Sequence, residues 1–162
     1  MKALVVYESM FGNTEAIAQA VAEGLAGGYD VTLADAASRP SADGVDLLVV
    51  GGPTHALSMS RPSTRADAVK QGASAGHSGS GLREYLDTAP RLSGLAAAAF
   101  DTTIDTRFPT GSAARKAQRK LRRLGCRVVA PAESFHVSGT AGPLLDGETE
   151  RARKWAVGLH VA

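Results

Sequence analysis

The chain reads Glu8-Ser9-Met10-Phe11-Gly12-Asn13-Thr14 at the junction between an apolar run, Ala3–Tyr7, and an alanine-rich helical pattern. A buried strand that turns through glycine and hydroxyl residues into a helix directs several unpaired backbone N–H groups, and the positive end of the helix dipole, to one point. Such a point attracts a phosphate. Neither G-x-G-x-x-G nor G-x-x-x-x-G-K-[ST], the common nucleotide-binding patterns, occurs here. The single glycine among hydroxyl side chains therefore predicts a site for a terminal phosphate monoester.

Apolar runs alternate with helical patterns along the chain. Near-continuous apolar runs, typical of strands buried on both faces of a parallel sheet, occupy residues 2–7 and 46–51. Further candidate strands are residues 30–35, 95–101 and 127–135, and candidate helices are Thr14–Ala26, Gly111–Leu124 and Glu148–Leu159. This alternation predicts right-handed crossovers and a doubly wound α/β sheet.

Length and composition predict one globular domain over residues 1–162, since 44% of the residues are hydrophobic and 21% are charged. The lone Cys126 cannot form an internal disulfide, and the chain does not open with the pattern of a secretory signal. No apolar run approaches the roughly 20 residues that span a bilayer. We therefore expect a reducing, cytoplasmic setting and no membrane span.

The loop after the first strand resembles the phosphate-binding loop of the flavodoxin-like family, whose short-chain members typically read T-x-T-G-x-T. The residues in that register are Ser9, Met10, Phe11, Gly12, Asn13 and Thr14. Phe11 replaces the central hydroxyl residue, so one side-chain donor to phosphate is missing. The resemblance implies a three-layer flavodoxin-like fold with five parallel strands in the order 2-1-3-4-5, and non-covalent binding of FMN through its phosphate. The opening Ser9-Met10-Phe11-Gly12 is also similar to the S-M-Y-G of flavin-dependent quinone reductases.

A second loop follows the third candidate strand and is rich in glycine and proline, which shape the backbone for close approach to a flat ring. It reads Gly51-Gly52-Pro53-Thr54-His55-Ala56-Leu57-Ser58-Met59-Ser60. The loop resembles the second flavin loop of the family, so Pro53, Thr54, His55 and Ala56 are candidate cofactor contacts. Ala56 and Leu57 stand where the family often has an aromatic cover for the ring. Because aromatic stacking adds about 0.5–1.5 kcal/mol per pair, we expect weaker flavin binding.

A third loop follows the fourth candidate strand, Phe100 to Pro109. Its position matches the third flavin loop of the family, which implies contacts from Asp101 and Thr102 and stacking by Phe108. The histidines have no companions at metal-ligand spacing, so no metal site is predicted. There is no catalytic nucleophile motif either.

Two other segments stand out by composition. Residues 71–81 are rich in glycine and serine, which predicts a mobile connector. The basic residues Arg115, Lys116, Arg119, Lys120, Arg122, Arg123 and Arg127 cluster in a chain whose net charge is only +2. At helical spacing such a series usually forms a solvated face, and docking of an acidic partner is the alternative. A nucleic-acid partner is not favoured, because aromatic residues are not interleaved with these basic residues.

These observations predict an FMN-binding electron-transfer protein, monomeric or dimeric, that exchanges electrons with a redox protein or a small quinone-like acceptor. One alternative is a flavin-dependent quinone or protoporphyrinogen oxidoreductase. Another is a flavodoxin-fold binding module that has lost the flavin. Arg61, Arg65 and Arg107 lie in or beside the flavin loops, with Asp101 and Asp105 the nearest acids, so we expect a neutral or positive field that favours two-electron exchange.

Overall fold

The computed structural model describes residues 1–74, 79–106 and 111–161, and the predicted ring contact Phe108 and the neighbouring Arg107 lie outside these ranges. The strands of the described chain are β1 Lys2–Tyr7, β2 Asp30–Asp35, β3 Leu47–His55, β4 Ser58–Met59, β5 Ala96–Ile104, β6 Arg127–Val128 and β7 Glu133–Val137. The helices are α1 Asn13–Leu25, α2 Pro62–Lys70, α3 Leu82–Thr88, α4 Ala113–Arg123 and α5 Glu148–Val157. None of these helices is long and apolar enough to cross a membrane.

The sheet confirms the doubly wound parallel architecture. Its strand order is β2-β1-β3-β5-β6, with β7 also paired to β5 and the short β4 antiparallel to β3. The predicted count of five strands is wrong, since the described residues form seven. The predicted strand 127–135 divides into β6 and β7 on the same edge of β5. Pro131 lies in the gap, and proline has no N–H to donate to the ladder.

Each face of the sheet has its own apolar layer of helices. One face of the sheet packs against α1 and α5 through residues such as Ile17, Val21 and Ala156. The other packs against α3 and α4 through residues such as Leu82 and Leu121. The neighbouring strands β1, β3 and β5 are buried on both faces. Successive apolar side chains along each strand therefore belong alternately to the two cores. This arrangement fixes the carboxyl ends of the three central strands at one edge.

Two helices were not predicted, whereas the other three agree with the predicted ranges to within two residues at each end. The unpredicted helices, α2 and α3, lie between β4 and β5. In α2 the buried residues are Arg65 and Ala68, so its sequence has no apolar stripe at helical spacing. Pro62 at the first helical position is the signal that could have indicated its start.

Candidate functional site

A cavity of about 310 Å³ opens at the carboxyl ends of β1, β3 and β5. Its walls include most of the residues predicted from sequence: Ser9, Met10, Phe11, Asn13, Thr14, Pro53, Thr54, His55, Ala56 and Thr102. Of the other predicted residues, Gly12 and Asp101 do not line it. The three loops that the sequence singled out therefore meet at one place. In a doubly wound sheet, this is the edge where ligands bind.

The start of α1 forms an uncapped N-terminus at this cavity. Gly12 precedes the helix with a φ of 92°, and no side chain caps the helix within the described chain. The first helical hydrogen bond runs from the Ala16 N–H to the Gly12 carbonyl. The amides of Asn13, Thr14 and Glu15 consequently have no partner within the helix. Together with the helix dipole, they make this end a site for an anion.

The hydroxyl groups of the phosphate loop are already ordered. Ser9 Oγ accepts a hydrogen bond from the Gly12 N–H at 3.1 Å, which leaves its own hydroxyl hydrogen free to donate. Thr14 Oγ1 and Thr102 Oγ1 lie 2.6 Å apart, and both residues are buried and line the cavity. Only one hydroxyl hydrogen can lie between those two oxygens. The other hydrogen is available to a ligand.

Asn13 connects the phosphate loop to the turn after β7. Its Nδ2 donates to the Ala141 carbonyl at 3.1 Å, and a Cβ on Gly142 would lie 2.6 Å from the Asn13 amide. A glycine is therefore needed at position 142 for this approach. The turn brings Thr140 to the cavity wall beside Val137. Neither residue was predicted, because the contact joins segments that are far apart in sequence.

Phe11 packs against apolar residues of α2 and its C-terminal extension. Together with Val69 it lies on a small cluster formed by Met10, Ala68 and Ala73. The aromatic ring in place of a hydroxyl donor thus contributes to one wall of the site. It holds the phosphate loop against α2 by burial of apolar surface.

The polar wall of the cavity comes from α2, which sequence reasoning missed. Thr64, Asp67, Ala68 and Gln71 line the cavity, and their spacing places them on one face of the helix. Thr64 Oγ1 accepts from the Arg61 N–H at 2.8 Å and so satisfies an amide at the helix start. Asp67 is exposed, and it gives this wall a carboxylate.

The second loop is a tight hairpin between β3 and β4. Its two central residues, Ala56 and Leu57, have φ of 46° and 69°. Two-residue hairpins of this kind require positive φ, which costs energy in residues other than glycine. Leu57 is 55% exposed. A Cβ on Gly111 would lie 2.2 Å from the Leu57 carbonyl oxygen, so the hairpin tip rests on the start of the segment that leads into α4.

His55 lies in the cavity wall as a partly buried imidazole. Its Nδ1 is 3.2 Å from Thr64 Oγ1. Burial, reinforced by the charge of Arg65, lowers the pKa of His55 below the usual value for histidine. The ring is therefore neutral at pH 7.

Asp101 is a buried anchor for two loops, and its side chain does not face the cavity. Oδ2 accepts from Thr54 Oγ1 at 3.0 Å, from Ser112 Oγ at 2.6 Å and from the Ala114 N–H at 3.0 Å. Thr54 in turn accepts from the Ala113 N–H at 3.0 Å. The carboxylate thus joins the second loop to the N-terminus of α4 through Oδ2, and the direct contact of Asp101 with a cofactor stays a prediction.

The comparisons with known proteins agree with this geometry. The family model described as Flavodoxin matches residues 5–155. The chain belongs to the flavodoxin family. No curated protein sequence matches it significantly.

Solved flavodoxin structures match over nearly the whole chain. An archaeal flavodoxin is 21% identical, with 98% of this chain and 96% of that chain covered and a TM-score of 0.67. Flavodoxin 1 from Bacillus cereus is 20% identical, with coverages of 96% and 95% and a TM-score of 0.67. A WrbA-like flavodoxin from Agrobacterium tumefaciens is 19% identical, with coverages of 98% and 94% and a TM-score of 0.64. At these identities the structures establish the shared fold.

Beneath the cavity, this flavodoxin has a buried charged network at the start of its phosphate loop. Glu8 accepts from Ser60 Oγ at 2.5 Å and from the Leu82 N–H at 2.8 Å. Arg65, fully buried, donates to Ser60 Oγ at 2.8 Å and forms an ion pair with Glu84. Burial raises the pKa of Glu8, against the opposing hydrogen bond from Ser60. The network joins the phosphate loop to α2 and α3.

Because of this network, the charge near the flavin loops differs from the charge expected from the sequence. Arg65 was counted among the positive charges in or beside the flavin loops, but it is paired with Glu84 and is linked through Ser60 to Glu8. Asp101 is buried behind the hairpin, and Asp67 brings an acid to the cavity wall.

Within the described chain, no group of three or more histidine, cysteine or acidic residues could hold a metal ion.

Proposed function

We propose that this flavodoxin binds FMN in the cavity at the carboxyl edge of the sheet and acts as an electron-transfer protein. The observation that carries the proposal is the uncapped N-terminus of α1, where free amides and available hydroxyl hydrogens converge. Family membership supports the choice of FMN. A phosphate monoester suits this end, because the helix dipole and the free amides stabilise an anion there without a lysine or arginine.

The residues present fit the two ends of the cofactor. The amides of Asn13, Thr14 and Glu15, with hydroxyls from Ser9 and the Thr14–Thr102 pair, would hold the phosphate. The hairpin residues Pro53–Ala56, the α2 wall and Thr102–Ile104, which all line the cavity, would bind the ring system. The cavity combines apolar side chains, such as those of Phe11, Pro53 and Ile104, with the polar groups of α2 and the phosphate loop, and this mixture suits a ligand with a flat ring and a polar chain.

FMN supplies the electron-transfer chemistry when it is bound. The protein's contribution is to orient the ring, exclude water and set the local charge. Asp67 adds a negative charge on the α2 wall, and His55 lies in the wall as a neutral ring. The buried Glu8–Ser60–Arg65 network holds that wall against the phosphate loop.

The absorption spectrum of freshly purified protein tests this proposal. We expect a yellow preparation with flavin bands, and the flavin released by denaturation should be identified as FMN by chromatography. Apoprotein prepared by removal of flavin should recover the bands when FMN is added. A colourless preparation that stays colourless with added FMN would contradict the proposal and favour a binding module without flavin.

A further inference from the structure

The exposed face of α4 carries a concentration of positive charge. The helix has six basic residues and no acidic residue between Ala113 and Arg123. Lys120 is paired with Asp87 of α3. The remaining five are exposed and are called here the α4 basic face: Arg115, Lys116, Arg119, Arg122 and Arg123.

Intramolecular interactions do not account for this charge. Within residues 1–74, 79–106 and 111–161, no side chain of the α4 basic face takes part in an ion pair. Arg115 and Lys116 lie in the first turn of the helix, where the dipole favours acids and disfavours cations. The net charge of the whole chain is +2, so the rest of the molecule is net negative. The positive charge is therefore localised, and part of it opposes the stability of its own helix.

The α4 basic face begins beside the candidate flavin cavity. The Ala113 N–H donates at 3.0 Å to Thr54 Oγ1, a residue of the cavity wall. Arg115 lines a second cavity, of about 490 Å³, whose walls share Thr103 and Ile104 with the first. Leu57, at the hairpin tip beside the start of α4, is an exposed apolar side chain. Positive charge and an apolar contact point thus lie together at this rim.

We propose that the α4 basic face, with Leu57 at its near end, is the docking surface for an acidic electron-transfer protein. This inference rests on the proposed FMN function. Charge complementarity sets the chemistry of the partner, and long-range attraction would guide it to the rim of the cavity. Interfaces of weak electron-transfer complexes are typically small, which suits a surface made of one helix face and one apolar residue.

The composition and position of the face favour a protein over other polyanions. Its exposed residues are all arginine or lysine, without the aromatic side chains on which nucleic-acid bases stack. The face also lacks the apolar stripe by which an amphipathic helix enters a lipid surface, because the apolar residues of α4 are buried in the core. Proximity to the flavin has a direct use only when the partner carries a redox centre.

The test uses a plant-type [2Fe–2S] ferredoxin, a small acidic carrier, as the probe. Flavin content is measured first, and the FMN-loaded protein is then mixed with reduced ferredoxin in a stopped-flow instrument. In the reaction, the iron–sulfur centre loses one electron and the flavin gains it. We expect the second-order rate constant to fall by about tenfold or more between low and high ionic strength.

Charge-reversal variants distinguish an effect of the α4 basic face from an effect of the net charge of the protein. Arg115→Glu with Arg119→Glu should slow the reaction with ferredoxin by about tenfold or more at low salt. The matched control, Lys2→Glu with Lys154→Glu, makes the same change in net charge at exposed positions of β1 and α5 and should have a much smaller effect. Cytochrome c, a basic acceptor, should react faster with the reduced α4 variant than with the reduced wild-type protein, which excludes misfolding as the cause.

Binding of oxidised ferredoxin to the apoprotein, measured by calorimetry, gives a readout that does not need flavin. If the protein does not bind FMN but ferredoxin binding still depends on Arg115 and Arg119, the result supports the docking surface and contradicts the proposed function. If FMN is bound and both variants behave alike, the docking proposal is wrong. Tighter binding of duplex DNA or of phosphatidylserine vesicles, lost in the α4 variant, would also overturn it.

Discussion

The hydroxyl oxygens of Thr14 and Thr102 lie 2.6 Å apart and join the first turn of α1 to the end of β5. Thr14 belongs to the phosphate loop, and Thr102 belongs to the strand that leads into the third loop. Both side chains are buried yet line the cavity. The contact thus links the expected phosphate end of the site to its ring end, and it leaves one hydroxyl hydrogen for a ligand.

Replacement of Thr14 by valine should weaken FMN binding by about 1.5–3 kcal/mol, the scale for a hydrogen bond to a charged group. The shape of the side chain is retained, so the fold should remain intact. Fluorescence titration of the apoprotein with FMN measures the change. Thr32→Val, at an exposed position of β2, is the control and should leave the affinity unchanged. Unchanged affinity in Thr14→Val would remove this hydroxyl from the proposed phosphate site.

Gly12→Ala should lower the free energy of unfolding by about 1–2 kcal/mol, because an alanine would adopt the left-handed conformation that Gly12 has at φ 92°. A Cβ there would meet no atom within 4 Å, so the cost comes from the backbone alone. Gly27→Ala is the matched control, since its Cβ also has open space and its φ is not positive. Denaturant unfolding should show a loss for Gly12→Ala and none for Gly27→Ala. Equal losses would contradict the assigned strain.

Removal of the Asp101 carboxylate should destabilise the protein by about 2–4 kcal/mol, because three buried or half-buried donors lose their acceptor. We expect Asp101→Ala also to weaken FMN binding indirectly, through movement of the hairpin at Thr54. Asp105→Ala, at an exposed position, should cost less than about 1 kcal/mol. Thermal and urea unfolding of the two variants provides the comparison. A small effect at Asp101 would show that the hairpin does not depend on this anchor.

Ionisation of Glu8 should lower the free energy of unfolding as pH rises above the pKa of the carboxyl group in the unfolded chain, which is about 4.3. Burial raises the pKa of Glu8 in the folded protein, so the folded state holds this proton more tightly than the unfolded chain. Its contribution is complete below the unfolded pKa and is lost as pH rises through the folded pKa. Glu8→Gln removes the titration. The difference in unfolding free energy, variant minus wild type, should increase with pH over this window, and a difference that is constant with pH would refute the shifted ionisation.

Local patterns account for the parts of this structure that the sequence predicted. The range of α1 and the phosphate loop follow from an apolar run, a glycine turn and a helical stripe within 25 residues. The α2 wall could not be predicted in this way, because the buried Arg65 is paired with Glu84 and is linked through Ser60 to Glu8, and both carboxyl groups are distant in sequence. Likewise, Asp101 could be placed at the end of a strand, but only the fold shows that its carboxylate turns to α4.

Comparison of FMN with riboflavin tests whether the α1 N-terminus binds the phosphate of FMN. Riboflavin has the same ring and ribityl chain but no phosphate. Titration of the wild-type apoprotein under identical conditions should give at least about tenfold tighter binding of FMN, since loss of one charge-assisted hydrogen bond alone costs roughly 1.5–3 kcal/mol. Equal affinity for riboflavin and FMN would contradict a phosphate site at the α1 N-terminus.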